Sequence, residues 1–277
     1  MNIKMIAFDL DGTVFDNQKR ILPKTKAALE KAAADGIEIV PATGRPLCGV
    51  SEQIWQLKGV RYILTTNGAG IYEAETGKCI YENSMKLERF LPMMARLEPL
   101  EAMGDAFVKG KCFMSRKNLK LLDRLDTTEE MKAYIRSSRT CVDNLTEFLR
   151  KNGEDIQKIT INFVKQSDGT LCDYDRVQEI IRDFPEFIAV SGGMNNIEVT
   201  DKTASKGIGI LKLGEILGIK KEEILAFGDS GNDVAMLQMA GFGVAMENAE
   251  PEAKAAADFV TRSNTEEGIA YALEKFL

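Results

Sequence analysis

Short apolar runs alternate with amphipathic stretches at both ends of this chain, and that rhythm limits the folds open to it. Residues 3–8 form a near-continuous apolar run broken only by Lys4, the pattern of a strand buried on both faces. A helix is predicted from Pro23, a residue suited to the first helical position, to about residue 36. Residues 37–41 then read as a strand, 47–57 as a helix and 62–66 as a third strand. Strand–helix–strand spacing of this kind means βαβ units and a parallel sheet, so the ends of the chain predict an α/β fold. Residues 70–72 and 78–81 around Glu75-Thr76-Gly77 read as a hairpin. The rhythm returns after residue 206, with helices at 206–217, 233–239, 251–257 and 266–276 and strands at 224–227, 241–245 and 259–260.

The middle of the chain has a different texture. Helical patterns at 87–97, 129–137, 145–151 and 176–183 mix with strand-like runs at 106–108, 112–115, 156–164, 187–191 and 196–200. The expected organisation is a discontinuous sheet domain, residues 1–83 and 198–277, interrupted by an α+β domain at 84–197.

Composition then removes whole classes of function. The 277 residues are 44% hydrophobic and 28% charged, with a net charge of −6, so bulk charge does not suit nucleic acid or an anionic membrane. There is no histidine, which excludes Ser-His-Asp and Cys-His catalysis and His-ligated zinc. Acid–base chemistry must run on carboxylates, lysine, tyrosine or cysteine. The five cysteines are widely spaced and odd in number, so reduced thiols are expected. Asp9 interrupts the first apolar run before a signal sequence could form, and no run approaches the ~18 residues of a membrane span. A cytoplasmic protein is expected.

Ligands of parallel sheets bind beyond the carboxyl ends of the strands, and three segments carry polar groups there. Asp9-Leu10-Asp11-Gly12-Thr13 places two carboxylates two residues apart, ahead of a glycine that permits a sharp exit. Gly228-Asp229-Ser230-Gly231-Asn232-Asp233 adds two more after another apolar strand, and such oxygen-rich turns suit a hard cation such as Mg²⁺. Four aspartates gathered without compensation would repel, which a metal resolves. Thr43-Gly44-Arg45 offers a hydroxyl and a close-approach backbone N–H for phosphate, and Lys206 opens a helix as a candidate phosphate-facing cation. Taken singly, each motif also fits an ordinary turn or a solvated lysine. Their order is the informative part.

That order resembles the haloacid dehalogenase superfamily of phosphohydrolases, specifically its Cof-type members of subfamily IIB. The residues that carry the resemblance are Phe8-Asp9-Leu10-Asp11-Gly12-Thr13-Val14, Ala42-Thr43-Gly44-Arg45, Lys206-Gly207 and Gly228-Asp229-Ser230-Gly231-Asn232-Asp233, with Thr66-Asn67-Gly68-Ala69 as a further likeness. The resemblance implies a Rossmann-like doubly wound parallel-sheet core with an inserted α+β cap domain. It also implies a Mg²⁺-dependent phosphatase of small organic phosphate monoesters, sugar phosphates foremost. Asp9 would be the nucleophile, forming an aspartyl-phosphate, and Asp11 the acid and base. Asp9, Asp229 and the Asp11 backbone carbonyl would hold Mg²⁺, with Asp233 orienting its water shell or ligating through it. Thr43, Gly44, Lys206 and Asn232 would bind the phosphoryl group, and Arg45 would join them or anchor its loop. About 34 residues separate Asp9 from Thr43, too few for a cap, so the cap lies between Thr43 and Lys206 and would select a small phosphorylated metabolite. A phosphotransferase or phosphomutase on the same scaffold is the nearest alternative, and a non-catalytic sensor of phosphorylated metabolites the next.

Overall fold

The computed structural model describes residues 1–191 and 195–277. The chain divides into two compact units, Met1–Glu82 with Thr203–Leu277, and Asn83–Lys202.

The first unit begins β1 (Met5–Phe8), α1 (Pro23–Ala34), β2 (Glu38–Pro41), α2 (Glu52–Trp55), β3 (Tyr62–Thr65), β4 (Gly70–Glu73) and β5 (Cys79–Glu82). The inserted unit follows with α3 (Leu87–Leu97), β6 (Ala102–Val108), β7 (Lys111–Ser115), α4 (Arg116–Leu121), α5 (Glu129–Ser138), β8 (Arg139–Val142), α6 (Leu145–Asn152), β9 (Lys158–Phe163), α7 (Tyr174–Arg182), β10 (Phe187–Ser191) and β11 (Asn196–Asp201). The first unit then resumes with α8 (Lys206–Leu217), β12 (Ile224–Gly228), α9 (Val234–Met239), β13 (Phe242–Ala245), α10 (Pro251–Ala256), β14 (Phe259–Val260) and α11 (Gly268–Phe276).

The main sheet of the first unit is parallel, in the order β14-β13-β12-β1-β2. Apolar residues clothe both of its faces, which is why its strands lack polar alternation. Ile6, Phe8, Ile39, Leu225 and Phe227 pack under Leu29 of α1 and Ile269 and Leu273 of α11. On the other face Met5, Ala7, Val40, Ile224 and Ala226 meet Ile210 and Leu213 of α8 and Met236 of α9. This is the parallel α/β sheet that the alternation predicts and the doubly wound core that the resemblance implies. Register does the rest: Phe8 lies opposite both Phe227 and Pro41, so the chain leaves three adjacent strands at one level.

Two local expectations for this unit need correction. The helix expected over 47–57 is broken at Val50 and Ser51, which are extended, into a 3₁₀ turn (Leu47–Gly49) and the short α2. Ser51 caps α2 by accepting from Gln53 N–H, and the Gly49 carbonyl accepts from the Arg45 guanidinium. The third parallel strand, β3, and the residues just before it meet the main sheet, among the described residues, through isolated bridges at Ile39–Val60 and Ala42–Leu64. Its continuous pairing is antiparallel, with β4 in the three-stranded sheet β3-β4-β5.

The inserted unit holds a six-stranded sheet, β10-β11-β9-β6-β7-β8, antiparallel except between β7 and β8. Its expected end at 197 falls inside β11, whose pairing with β9 and β10 carries the unit to Lys202. The sequence pattern does not mark strand β8 or helix α4, because the Arg-Thr-Cys-Val edge strand shows no apolar alternation and α4 is short. One sheet face, including Ile159, Ile161, Phe163 and Val199, packs under α3, α6 and α7. The other carries buried charge. Asp105 is fully buried, 3.3 Å from Arg139, and its Oδ1 has no hydrogen-bond partner among the described residues. Lys158 pairs with Glu198 and lies 4.7 Å over the Phe107 ring.

Burial raises the Asp105 carboxyl to about 6, against the opposing pull of Arg139. The folded state therefore keeps a proton that the unfolded chain releases near pH 4, and this group's stabilising contribution falls as pH rises from about 4 to about 6. The loss is on the order of 3 kcal/mol. Asp105→Asn should remove that slope. Denaturant unfolding of both proteins across the window checks it, and parallel curves would refute it.

Candidate active site

The first carboxylate turn is built by the end of β1. Asp9 extends the ladder by donating its N–H to the Phe227 carbonyl at 3.0 Å, and only 6% of the residue is exposed. The chain then turns sharply through Gly12, whose φ of +92° is left-handed. Opposite it, Asp229 follows β12 and accepts a 2.6 Å hydrogen bond from the Thr13 hydroxyl on Oδ1. A side chain at position 12 would put its Cβ 2.3 Å from Asp229 Oδ2. Gly12→Ala should thus displace the Asp229 carboxylate and strain the turn, at a cost of about 1 kcal/mol or more. Thermal melts and Mg²⁺ titration check this; unchanged values in both would contradict it.

Asp233 is fully buried and both its oxygens are committed. Oδ2 accepts from the backbone N–H of Asp229 at 3.0 Å and of Ser230 at 3.1 Å, and Oδ1 accepts from Lys206. Lys206 begins α8, where the Ser205 hydroxyl caps the helix by accepting from Ile208 N–H. Its ammonium is fully buried, 2.5 Å from Asp9 Oδ1, 2.6 Å from Asp233 Oδ1 and 3.4 Å from Asn232 Oδ1. Burial disfavours that charge, but Asp233 and Asp9 outweigh it and raise the lysine's pKa. Burial also raises Asp9 well above the usual carboxylate value, against Lys206 and with help from Asp233, Asp229 and Asp11. Asp229 is pushed up to about 6 by burial, against the Thr13 hydrogen bond and with Asp233 adding to the rise.

Asp9, Asp229 and Asp233 each offer an oxygen, all within 4.8 Å of one another. Three carboxylates and one ammonium leave two negative charges in excess, and the donors are all hard oxygens. The set fits a hard divalent cation such as Mg²⁺. The Asp11 side chain lies outside that set. Its oxygens accept from Arg45 Nε at 2.9 Å and Nη2 at 2.8 Å, and from Lys19 Nζ at 2.7 Å. Burial alone would raise the Asp11 carboxyl; Arg45 and Lys19 outweigh it and lower it.

The remaining expected residues lie on turns tied to this cluster. Thr43 is buried, donates its N–H to Leu64 at 2.9 Å, and accepts from Arg45 N–H on its hydroxyl at 3.1 Å. Gly44 lies between them, half-buried. Asn232 accepts from Lys206 and Ser230 and donates to Asn67 Oδ1 at 3.2 Å. Asn67 in turn donates its N–H to the Thr43 carbonyl at 3.1 Å, so it joins the Thr43 turn to the Asn232 turn. Sequence reasoning assigned Asn67 no role. The signal available was Asn-Gly after a strand, here a left-handed run with φ of 50° at Thr66 and 56° at Asn67. Arg45, expected near phosphate, spends its guanidinium on Asp11 and the Gly49 carbonyl.

Known proteins share this arrangement of segments. The family model for haloacid dehalogenase-like hydrolases matches residues 6–273. Phosphatase YwpJ of Bacillus subtilis is 29% identical over 295 residues, covering 99% of this chain and 100% of that protein. The 5-amino-6-(5-phospho-D-ribitylamino)uracil phosphatase YcsE of the same organism is 28% identical, covering 100% and 97%. A solved structure described as the HAD subclass IIB sugar phosphatase BT4131 superposes with a TM-score of 0.80 at 27% identity, covering 99% of this chain and 98% of that one. Among the described residues, no helix is long and apolar enough to cross a membrane. The chain belongs to the haloacid dehalogenase-like hydrolase family, and within it to the phosphoric monoester hydrolases.

Proposed function

We propose that the chain is a Mg²⁺-dependent phosphatase of small organic phosphate monoesters, sugar and polyol phosphates foremost, working through an aspartyl-phosphate. The observation that carries this reading is the buried cluster of Asp9, Asp229 and Asp233 around Lys206 at the ends of β1 and β12. An isolated buried cluster of carboxylates is costly, and a binding protein for phosphate would be better served without it. The polyol preference follows relatives whose names specify a sugar phosphatase and a phosphatase of a phosphoribityl compound.

In this reading an Asp9 oxygen attacks phosphorus and the bond from phosphorus to the ester oxygen breaks. The departing oxygen takes a proton from Asp11, which carries one only when released from Arg45 and Lys19, and leaves as an alcohol. Asp11 then accepts a proton from water as that water attacks phosphorus, the bond to Asp9 breaks, and inorganic phosphate departs. Lys206 and Asn232, with Thr43 and Gly44, hold the phosphoryl oxygens and oppose their charge. Asp9, Asp229 and the Asp11 carbonyl would hold Mg²⁺, which supplies Lewis-acid stabilisation of phosphoryl charge when bound. Asp233, with one oxygen on Lys206 and the other on the turn that carries Asp229, orients both groups.

Phosphate release from a metabolite panel with Mg²⁺, repeated with Asp9→Asn, tests the function. Label passing to a second hydroxyl without release would make the enzyme a phosphotransferase. EDTA should abolish activity, and an EDTA-insensitive enzyme would remove the metal from the reading. Asp229→Ala should weaken Mg²⁺ binding more than Asp233→Asn, whose loss should lie within about 10–100-fold. Equal losses by calorimetric titration would give Asp233 a direct bond to the ion.

A further inference from the structure

The segment Thr66-Asn67-Gly68-Ala69 is part of the family likeness, yet the proposed reaction gives it no task. Its backbone is unusual. Thr66, Asn67 and Gly68 all take left-handed φ values, 50°, 56° and 91°. A β-branched threonine is disfavoured there, and such strain persists where the surroundings over-determine it. Here they do. Thr66 N–H donates to the Arg45 carbonyl at 3.0 Å and Asn67 N–H to the Thr43 carbonyl at 3.1 Å, so the turn after β3 is laced to the turn after β2. Gly68 lies against the residue before Lys206, where a Cβ would stand 2.1 Å from the Ser205 carbonyl oxygen. Between these contacts the Asn67 side chain is buried, and its Oδ1 accepts from Asn232 Nδ2 at 3.2 Å.

The other end of the Asn232 amide faces donors. Lys206, at 3.4 Å, can only donate, and Ser230 donates at 2.9 Å, so the end facing them is the oxygen. The nitrogen end has Asn67 as its acceptor for one hydrogen, and among the described residues its second hydrogen has no partner.

We propose that Asn67 is a positioning residue of the phosphoryl site: by accepting one Asn232 N–H it holds that amide so that the other N–H meets a phosphoryl oxygen. The inference rests on the reading of Asn232 as a phosphoryl ligand. Asn67→Gly takes away the acceptor but keeps the backbone N–H to Thr43 and a turn whose φ suits glycine, so the fold is retained.

Asn67→Gly, Asn232→Ala and the double variant test it in the full chain with Mg²⁺, by kcat/KM on 4-nitrophenyl phosphate and by inhibition with inorganic phosphate. Asn232→Ala should lose about 10²-fold in kcat/KM, the effect of removing one donor to developing charge. Asn67→Gly should lose on the order of tenfold, the scale of one hydrogen bond, and should bind inorganic phosphate more weakly than the parent. The double variant should fall within about twofold of Asn232→Ala, because a residue acting through Asn232 then has nothing to act on. In an Asn67→Asp background, where an oxygen still accepts from Nδ2, Asn232→Ala should keep most of its effect. Losses that multiply in the double variant, as a purely structural role would give, overturn the proposal, and so does an Asn67→Gly protein with unchanged kcat/KM and phosphate inhibition. Asn232→Ala without effect on either measurement removes Asn232 as a phosphoryl ligand, and the inference falls with that reading.

Discussion

Asp9→Asn should lose turnover by about 10⁴-fold or more and form no phosphoenzyme with any ester, whereas Asp11→Asn should still become phosphorylated by an activated aryl phosphate and then stall. The asymmetry follows from what each carboxylate touches. Asp9 is buried against the Lys206 ammonium, which opposes the rise that burial gives its carboxyl and favours the anion that would attack phosphorus in the proposed reaction. Asp11 stands outside that cluster on Arg45 and Lys19, and no histidine exists in the chain to take over the proton transfer proposed for it. Replacing Asp11 leaves the proposed nucleophile, Asp9, in place. With a leaving group that needs no proton the first step proceeds, and the water of the second step goes unactivated. A single-turnover trap followed by intact mass reads the result. An adduct on Asp11→Asn and none on Asp9→Asn is the expected pattern, and an adduct persisting in Asp9→Asn would overturn the assignment of the nucleophile.

Lys206→Met should strongly destabilise the sheet unit. The ammonium is fully exposure-free and is the hydrogen-bond partner shared by Asp9 Oδ1 and Asp233 Oδ1. Removing one member of a buried charge cluster leaves the others uncompensated, a loss of about 3–5 kcal/mol. Activity should fall by about 10²–10³ as well, since the cation proposed to oppose phosphoryl charge is lost. A divalent cation can offset part of the excess negative charge, so saturating Mg²⁺ should raise the melting temperature of Lys206→Met more than that of the parent. Equal shifts in the two proteins would mean that Lys206 and the metal do not share those carboxylates.

The sheet unit was legible because its constraints are local. A strand buried on both faces must be apolar throughout, as residues 5–8 and 224–227 are. Lys206–Leu217 and Leu87–Leu97 match their helical periodicity from end to end. Legibility failed where an element owes its shape to a distant partner. The 47–57 helix breaks at Val50 and Ser51, beside a carbonyl that serves Arg45, and among the described residues the edge strand β8 pairs its ladder with β7 alone. Propensity carries no information about either.

Sequence by itself determined which residues stand at the carboxyl ends of the strands: Asp9 and Asp11 after β1, Thr43 to Arg45 after β2, Asp229 to Asp233 after β12. Strand periodicity and turn chemistry act over a few residues, and a few residues are enough to read them. Only the tertiary structure decided how those groups are partnered. Lys206 meets Asp9 across 197 positions of chain, because parallel register brings β1 beside β12 and α8 lays its first residue against both turns. The same packing divides the four carboxylates, three around a buried ammonium and Asp11 on Arg45 and Lys19. Like charges crowded at one sheet edge must each find a counter-charge, and which cation serves which carboxylate depends on distances that folding alone sets.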